Sequence, residues 1–289
     1  MRQRQIITTI KYADFPTPLF HMPGAPESMR LWGELPKTPT RYLTIIGSRK
    51  HTTYGEQVVE QLIQGLRGYN ITIVSGLALG IDAIAHEEAL KNGLRTIAVP
   101  GSGIDFSVMH PPSNRNLAER IVEAGGTILS PFDDTQPAIH WTFPVRNQIM
   151  AGLADAVLVI EAKKKSGTLI TAKFAADYSR TVMAVPGSIT SPHSHGTNDL
   201  IRDGAVPITC PEDILTELQF TLLDSASSSD KYYQCSPEER KILDLINQPI
   251  QKSELIRAMQ MLAPIASAIL TSMELKGLII EKIGYVYRK

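Results

Sequence analysis

Short apolar runs alternate with amphipathic stretches from Arg41 onward, and this alternation constrains the fold more than any other feature of the chain. The apolar runs are four to six residues long, or nearly so, and rich in Val and Ile; they cover residues 42–46, 71–74, 96–99, 127–129, 156–160, 181–185 and 206–209. The stretches between them have helical character and cover residues 55–67, 80–92, 114–124, 145–153, 169–178 and 197–202. Continuous apolar runs are typical of strands buried on both faces. The pattern therefore predicts an α/β domain over residues 41–220, extended Rossmann-like and doubly wound around a mostly parallel sheet.

The segments on either side of this domain differ from it in composition. Residues 1–40 hold six of the chain's prolines, which predicts an extended arm packing on the main domain, with one short helical turn near residues 27–31. A serine-rich tract indicates a linker over residues 221–235. Beyond it, helices expected at 237–247, 252–260 and 264–276 and a hairpin over 277–288 predict a small C-terminal winged-helix-like domain over 236–289.

Glycine beside a serine or threonine follows many of the predicted strands. In an open α/β sheet, ligands sit outside the carboxyl ends of the strands. Five of the seven strand ends carry such loops, at residues 47–49, 75–82, 100–103, 161–168 and 186–188. Each loop brings backbone N–H groups toward an anion ahead of a helix N-terminus, although any one of them is equally explained as a tight turn. The G-x-G-x-x-G and P-loop motifs are both missing, which favours a phosphate polymer over a mononucleotide.

Basic residues occur in the same loops. Arg49 follows a glycine loop directly, Arg146 lies near a helix start, and Lys165 precedes Ser-Gly-Thr, so these three are predicted to contact phosphate. Lys163 and Lys164 are better explained as a solvated loop, and Arg115 is open between a site and a surface role. The formal net charge is zero, with 29 basic and 29 acidic residues, so binding to nucleic acid must rest on a few placed cations.

Several motifs in order resemble the DprA/Smf DNA-processing family. They lie in residues 47–55, 75–86, 143–153, 159–172 and 185–205, and the arm resembles the segment that leads into this family's domain. The resemblance implies a bacterial protein of natural transformation that binds single-stranded DNA, forms a homodimer through the Rossmann-like domain and helps load the RecA recombinase. Two positions depart from the family pattern: His110 stands where a tyrosine is usual, and Gln148 where an arginine is usual.

The family motifs carry the DNA-binding residues over to this sequence position by position. The resemblance implies that the pocket is formed by Gly47, Ser48, Arg49, Ser75, Gly76, Arg146, Asn147, Lys165, Ser166, Gly167 and Thr168. Recognition would then be tolerant of base sequence and sensitive to salt.

The C-terminal module has few residues that could recognise the bases of duplex DNA. Its third predicted helix holds no Lys or Arg between Pro264 and Leu275, whereas major-groove reading relies on Arg, Lys, Asn or Gln. The apolar spacing of Ile265, Ile269 and Met273 indicates packing, so a structural or protein-contact role is favoured.

Hydrolysis of nucleotide N-glycosidic bonds is the alternative function to DNA binding. Lysine-decarboxylase-like Rossmann proteins hydrolyse nucleotide N-glycosidic bonds and carry a glutamate shortly after a Gly-Thr loop; here Gly167-Thr168 has no such glutamate after it. Glu161 and Asp82 are available as acids or bases but are more simply loop or capping residues. The sequence therefore predicts a binding protein without enzymatic activity.

Cofactors, metals and membranes are not expected. His193 and His195 have chelating spacing but no third ligand nearby, and His86 alone is a weak catalytic signal. Two cysteines, Cys210 and Cys235, make no disulfide framework, and neither a leader sequence nor an apolar span is recognisable. These features predict a cytoplasmic protein.

Overall fold

The computed structural model describes residues 5–220 and, further on, residues 239, 242, 243, 245, 246, 250–259, 261, 263–275, 278–282 and 284–288. The chain divides into two compact units, Met1–Asp224 and Ser225–Lys289. Within the described residues, no single helix is long and apolar enough to cross a membrane. The helices Lys252–Ala258 and Ala263–Glu274 are long and apolar enough only when they are taken together, and the chain bends by 115° between them.

A nine-stranded sheet forms the centre of the described part of the first unit. Its strands are β1 (Ile7–Lys11), β2 (Ser28–Gly33), β3 (Arg41–Ile46), β4 (Ile71–Ser75), β5 (Arg95–Ala98), β6 (Thr127–Ser130), β7 (Ala156–Val159), β8 (Thr181–Ala184) and β9 (Val206–Pro207). They lie in the order β1-β2-β6-β5-β4-β3-β7-β8-β9, and every pair from β6 to β9 is parallel. The predicted α/β fold with a mostly parallel sheet is confirmed.

Helices cover both faces of this sheet. They are α1 (Thr53–Gly65), α2 (Ile81–Lys91), α3 (Arg115–Glu123), α4 (Thr142–Leu153), α5 (Gly167–Asp177), α6 (His195–Arg202) and α7 (Pro211–Glu217). One apolar core contains residues of α4 and α5, such as Ile149 and Ala172. Another contains residues of α1 and α2, such as Leu62 and Ile81. Because strands β3, β4 and β7 supply both cores, their continuous apolar runs are explained by burial on two faces.

Helix α4 begins three residues earlier than its sequence predicts. Pro144 suggests a boundary there, but it occupies the third position of the helix. The first four amides of a helix have no intrahelical acceptor, so a proline in that turn costs no hydrogen bond. The longer helix brings Phe143 and Arg146 onto one element.

The N-terminal arm belongs to the sheet. Strand β2 pairs antiparallel with β6, and β1 pairs antiparallel with β2. The helical turn expected near residues 27–31 is therefore wrong, because these residues lie in an extended strand. Between the two strands, Phe15, Leu19 and Met22 are buried in the core that α4 shares.

The second unit contains its own small core. Its described elements are β10 (Ile250–Gln251), α8 (Lys252–Ala258), α9 (Ala263–Leu275), β11 (Ile279–Lys282) and β12 (Tyr285–Arg288), with the strands in the order β10-β12-β11. Ala266, Leu270 and Met273 of α9 are buried, whereas Ile265 is 52% exposed. The expected linker and most of the helix expected at 237–247 lie outside the described residues. The winged-helix assignment stays a prediction.

Candidate nucleic-acid interface

A cavity of about 470 Å³ lies at the carboxyl ends of β3 and β7. These two strands are neighbours in the sheet, and the chain runs outward from them in opposite directions. This is the topological switch point, where doubly wound sheets bind their ligands. Most of the lining comes from three segments: the loop after β3, the loop after β7 with the start of α5, and the first turns of α4. Ala78 and Asp82, which follow β4, complete it.

The first wall is the loop after β3. A side chain on Gly47 would collide with Ile81, which lies at the start of α2, so only glycine fits here. The carbonyl oxygen of Ser48 accepts a hydrogen bond from the Ile81 amide, and the Ser48 hydroxyl accepts one from the Lys50 amide. These contacts fix the loop and leave Arg49 exposed, with its guanidinium carbon 5.1 Å from the centroid of the Phe143 ring. Arg49 therefore stands at the mouth of the cavity in a cation–π contact.

The second wall is the loop after β7. Ser166 caps α5 by accepting a hydrogen bond from the Thr168 amide, and the Thr168 hydroxyl donates to the carbonyl oxygen of Gly47. This last bond ties the two walls together. Gly167 faces open space. Lys165 lines the cavity as expected, but so does Lys163, which the sequence pattern favours as a solvated loop residue.

The third wall is α4, and its arginine is placed differently from Arg49. Arg146 is only 5% exposed. Its Nη1 donates to the carbonyl oxygen of Val99 and lies 3.8 Å from Oδ2 of Asp82, while its Nε has no partner. Asn147, at 8% exposure, lines the cavity beside it. Arg146 thus supplies positive potential to the cavity floor from a buried ion pair.

Ser75 and Gly76 do not line the cavity. The Ser75 side chain is fully buried and donates to the carbonyl oxygen of Ile45 within the sheet. A Cβ on Gly76 would overlap Nη1 of Arg146. The requirement for glycine at this loop therefore comes from the buried guanidinium, which needs the space.

Burial sets the pKa values around the buried pair. Desolvation raises the pKa of Asp82, while the Arg146 charge and the backbone amides of Ala78 and Gly76 act in the opposite direction. Desolvation lowers the pKa of Arg146. A guanidinium stays protonated in proteins despite such a shift. Its positive charge therefore remains available to an anion in the cavity.

Phe143 lines the cavity although the sequence pattern does not single it out. Its ring contacts Arg49 and meets the ring of His110 edge-on at 6.1 Å between centroids. His110 is exposed on the same rim, and desolvation, with the Arg49 charge, lowers its pKa. An aromatic residue three positions before Arg146 on the same helix was the available signal. Gln148, the other departure from the family pattern, does not line the cavity.

Glu161 lies behind the site. It is 2% exposed, and its carboxylate accepts hydrogen bonds from the Thr52 amide (3.0 Å) and the Thr52 hydroxyl (2.5 Å). Nδ1 of His193 lies 4.0 Å from Oε2 of Glu161. Thr52 in turn caps α1, which begins just after the Arg49 loop. Among the described residues, no three His, Cys, Asp or Glu side chains group as ligands for a metal.

Comparison with known proteins identifies similar chains. The sequence profile of DNA recombination-mediator protein A matches residues 6–219. Protein Smf of Escherichia coli is 38% identical over 230 residues, which are 79% of this chain and 60% of that protein, so the chain spans less than two thirds of this relative.

Two solved structures are similar over most of the first unit. The X-ray structure of DNA processing protein A from Streptococcus pneumoniae has a TM-score of 0.69 at 37% identity, covering 74% of this chain and 75% of that one. A structure of DNA processing protein A from Helicobacter pylori, described for its single-stranded DNA binding mode, has a TM-score of 0.65 at 29% identity and covers 74% and 95%.

Proposed function

The chain belongs to the family of DNA recombination-mediator protein A, and we propose that it binds single-stranded DNA in the cavity at the ends of β3 and β7. One observation carries the proposal. The exposed cations Arg49, Lys50, Lys163 and Lys165 surround two glycine loops and one aromatic ring in a chain whose formal net charge is zero. Positive charge placed at one cavity, without a basic surface overall, suits a ligand that is both anionic and aromatic.

The cavity suits a single strand better than a duplex. Loop amides and the four exposed cations are available to phosphate, and the Phe143 ring provides an apolar surface for a base. In a duplex the bases are stacked and paired, so neither their faces nor their edges enter a cavity of this size. Lysine and arginine contacts to phosphate predict affinity that falls with salt.

Family membership supports a wider role. We propose that the chain acts as a recombination mediator in the cytoplasm, as a homodimer, with RecA recombinase as its protein partner. The H. pylori relative is described as a single-stranded DNA binder, which agrees with the first step of such a role. Retention of RecA by the immobilised chain, and a molar mass in light scattering twice that of the 31.8 kDa chain, are the expected results.

The N-glycosidic hydrolase is the weaker candidate, and we propose that the chain is not an enzyme. General acid–base catalysis requires a carboxyl group within reach of the substrate. Glu161 is buried and bonded to Thr52. Asp82 lines the cavity, but it is only 6% exposed and lies 3.8 Å from Nη1 of Arg146. Incubation with nucleoside monophosphates should release no free base in chromatography, and release that disappears in a Glu161→Gln or an Asp82→Asn variant would contradict the proposal.

The decisive experiment is a titration with labelled oligonucleotides of identical sequence, single-stranded and annealed, over a salt series. The single strand should bind more tightly at each salt concentration, and its affinity should fall as salt rises. Equal affinity for both forms, a duplex preference or no binding would overturn the proposed function.

A further inference from the structure

An exposed tryptophan stands next to the proposed binding cavity without belonging to its lining. Trp141 is the residue immediately before α4, and its side chain is 53% exposed. Phe143, two residues further, contacts Arg49 in the cavity. Ile139 and His140 before it are exposed as well. Large aromatic side chains usually bury most of their surface, so this one leaves an apolar face in contact with water.

The turn that carries Trp141 is held firmly. Thr142 is fully buried, and its hydroxyl oxygen lies 2.6 Å from the carbonyl oxygen of Gly101 and 2.7 Å from that of Ile139, either of which can accept its single proton. The Ile139 amide donates back to the same hydroxyl. Gly101 itself packs so closely against Phe143 that a Cβ there would lie 2.7 Å from the ring. The exposed tryptophan is thus tied to the wall of the cavity.

The indole ring keeps a free face. It meets the ring of Phe132 at 80°, with 5.6 Å between centroids. An edge-to-face contact occupies one face of only one of the two rings, so Phe132 leaves at least one face of the indole uncovered, in agreement with the 53% exposure of Trp141. The acidic residues Asp133 and Asp134 both lie within 3.5 Å of the Arg30 guanidinium, which offsets one of their two negative charges.

We propose that Trp141 is a stacking platform for a nucleobase of the strand where it leaves the cavity. The inference rests on the proposed function and extends its site by one base. A strand anchored at Arg49 and Phe143 passes the start of α4, and a fixed, open indole face is the surface on which a base of any type stacks. Trp141 therefore adds affinity without adding sequence preference.

Fluorescence tests the contact directly, because the chain has two tryptophans and only one is exposed. Trp32 is 7% exposed and packs edge-on against Phe106. In a Trp32→Phe variant the emission comes from Trp141 alone, and stacking of oligothymidylate on it should quench that emission. Should this variant fail to fold, the same quenching is read as the difference between the unmodified chain and Trp141→Phe.

The second test of the stacking contact compares the affinities for oligothymidylates of two lengths. Binding sites on single strands span about 4 to 16 nucleotides, so a short and a long probe at these limits are compared. Trp141→Ala should weaken binding of the long probe by about 5- to 100-fold, the scale of one stacked base, and of the short probe by much less. Trp141→Phe should restore most of the loss, because it keeps an aromatic face.

Phe20→Ala is the matched control. Phe20 is also an exposed aromatic in edge contact with another ring, that of Tyr12, but it lies in the N-terminal segment that packs on α4 without contacting the cavity. Its removal should leave both affinities unchanged. Binding of both probes without quenching, and with unchanged affinity in Trp141→Ala, would refute the stacking platform and leave the proposed function standing. No binding of either probe to the unmodified chain would refute the proposed function itself.

Discussion

Arg49 and Arg146 have the same predicted role and different physical situations. Arg49 is exposed, and its guanidinium contacts the Phe143 ring. Its N–H donors are therefore available to phosphate. Arg146 is buried, and one of its terminal nitrogens is held by Val99 and faces Asp82. Replacing Arg49 should therefore act on binding, whereas replacing Arg146 removes a charge from the interior as well.

Arg49→Ala should weaken single-strand binding by about 1–3 kcal/mol, the scale of a hydrogen bond to a charged group. Because one fewer cation meets phosphate, the slope of log affinity against log salt should also become shallower by about 0.7. Filter binding over a salt series measures both. Arg67→Ala, at an exposed position outside the cavity, is the control and should change neither. Unchanged affinity in Arg49→Ala would remove this residue from the site.

His86 makes the stability of the first unit depend on pH. It is fully buried, Nδ1 lies 2.7 Å from the Thr96 hydroxyl, and desolvation lowers its pKa to about 3 from an ordinary value of 6.5. The unfolded chain takes up a proton near pH 6.5 and the folded chain does not. The contribution of neutral His86 to the free energy of unfolding is therefore complete above pH 6.5. It is lost as pH falls from 6.5 toward 3, by about 1.4 kcal/mol per pH unit.

Urea unfolding measured at pH 7 and pH 5 tests this. Both tryptophans lie in the first unit, so their fluorescence follows its unfolding alone. The free energy of unfolding should fall by about 2 kcal/mol more in the unmodified chain than in His86→Leu between these pH values. Equal losses in the two proteins would show that His86 does not cause the pH dependence.

Residue types alone do not reveal which arginine is buried. The sequence predicts a site at strand ends, and a cavity lies where glycine beside hydroxyl residues follows β3 and β7. It does not show that Gly76 accommodates Arg146, or that Ser75 bonds inside the sheet, because both facts depend on residues distant in the chain. Phe143 was missed for the same reason: its neighbours Arg49 and His110 come from other loops.

At the scale of elements, hydrogen bonds to a buried carboxylate fix the start of α1, which follows the Arg49 loop. Glu161, at the end of β7, accepts two hydrogen bonds from Thr52, which caps α1. Gly55 in the first turn of α1 makes room for this carboxylate, since a Cβ there would lie 2.6 Å from Oε2 of Glu161. We infer that Glu161 and Thr52 position Arg49 without touching the ligand.

Thr52→Val should lower the free energy of unfolding by about 0.5–2 kcal/mol through loss of the helix cap, and should weaken single-strand binding through Arg49. Thr52→Ser keeps the hydroxyl and should restore both. In an Arg49→Ala background, Thr52→Val should cost little further affinity, because coupled residues are not additive. Additive losses would show that Thr52 acts on binding independently of Arg49.

The arm shows the limit of sequence patterns at the element scale. Its prolines predict an extended conformation; the chain is extended over β1 and β2, whereas Thr17–His21, which holds Pro18, forms a 3-10 helix. Pairing of β2 with β6 is a contact between residues about a hundred positions apart in the chain, which local composition does not encode. By contrast, the central strands β3, β4 and β7 were predictable because burial on both faces leaves a mostly apolar run in each.

At the scale of the whole molecule, the binding surface is concentrated in one unit. The family match, residues 6–219, falls within the first unit, and so does every residue lining the cavity. In the second unit, the described part of α9 contributes Ala266, Leu270 and Met273 to a local core. The cations proposed to hold phosphate are therefore independent of the second unit's fold.

Removal of residues 225–289 should accordingly leave single-strand affinity within about threefold of the full chain, a difference of less than about 0.7 kcal/mol. The first unit is compact by itself and retains Arg49, Lys163, Lys165 and Phe143. The comparison is made by titrating the full chain and residues 1–224 with one single-stranded oligonucleotide at one salt concentration. Arg49→Ala introduced into both proteins is the control, and it should weaken both by the same factor. If truncation costs as much affinity as Arg49→Ala does, the second unit must supply contacts to the strand, and the cavity in the first unit is only part of the binding surface.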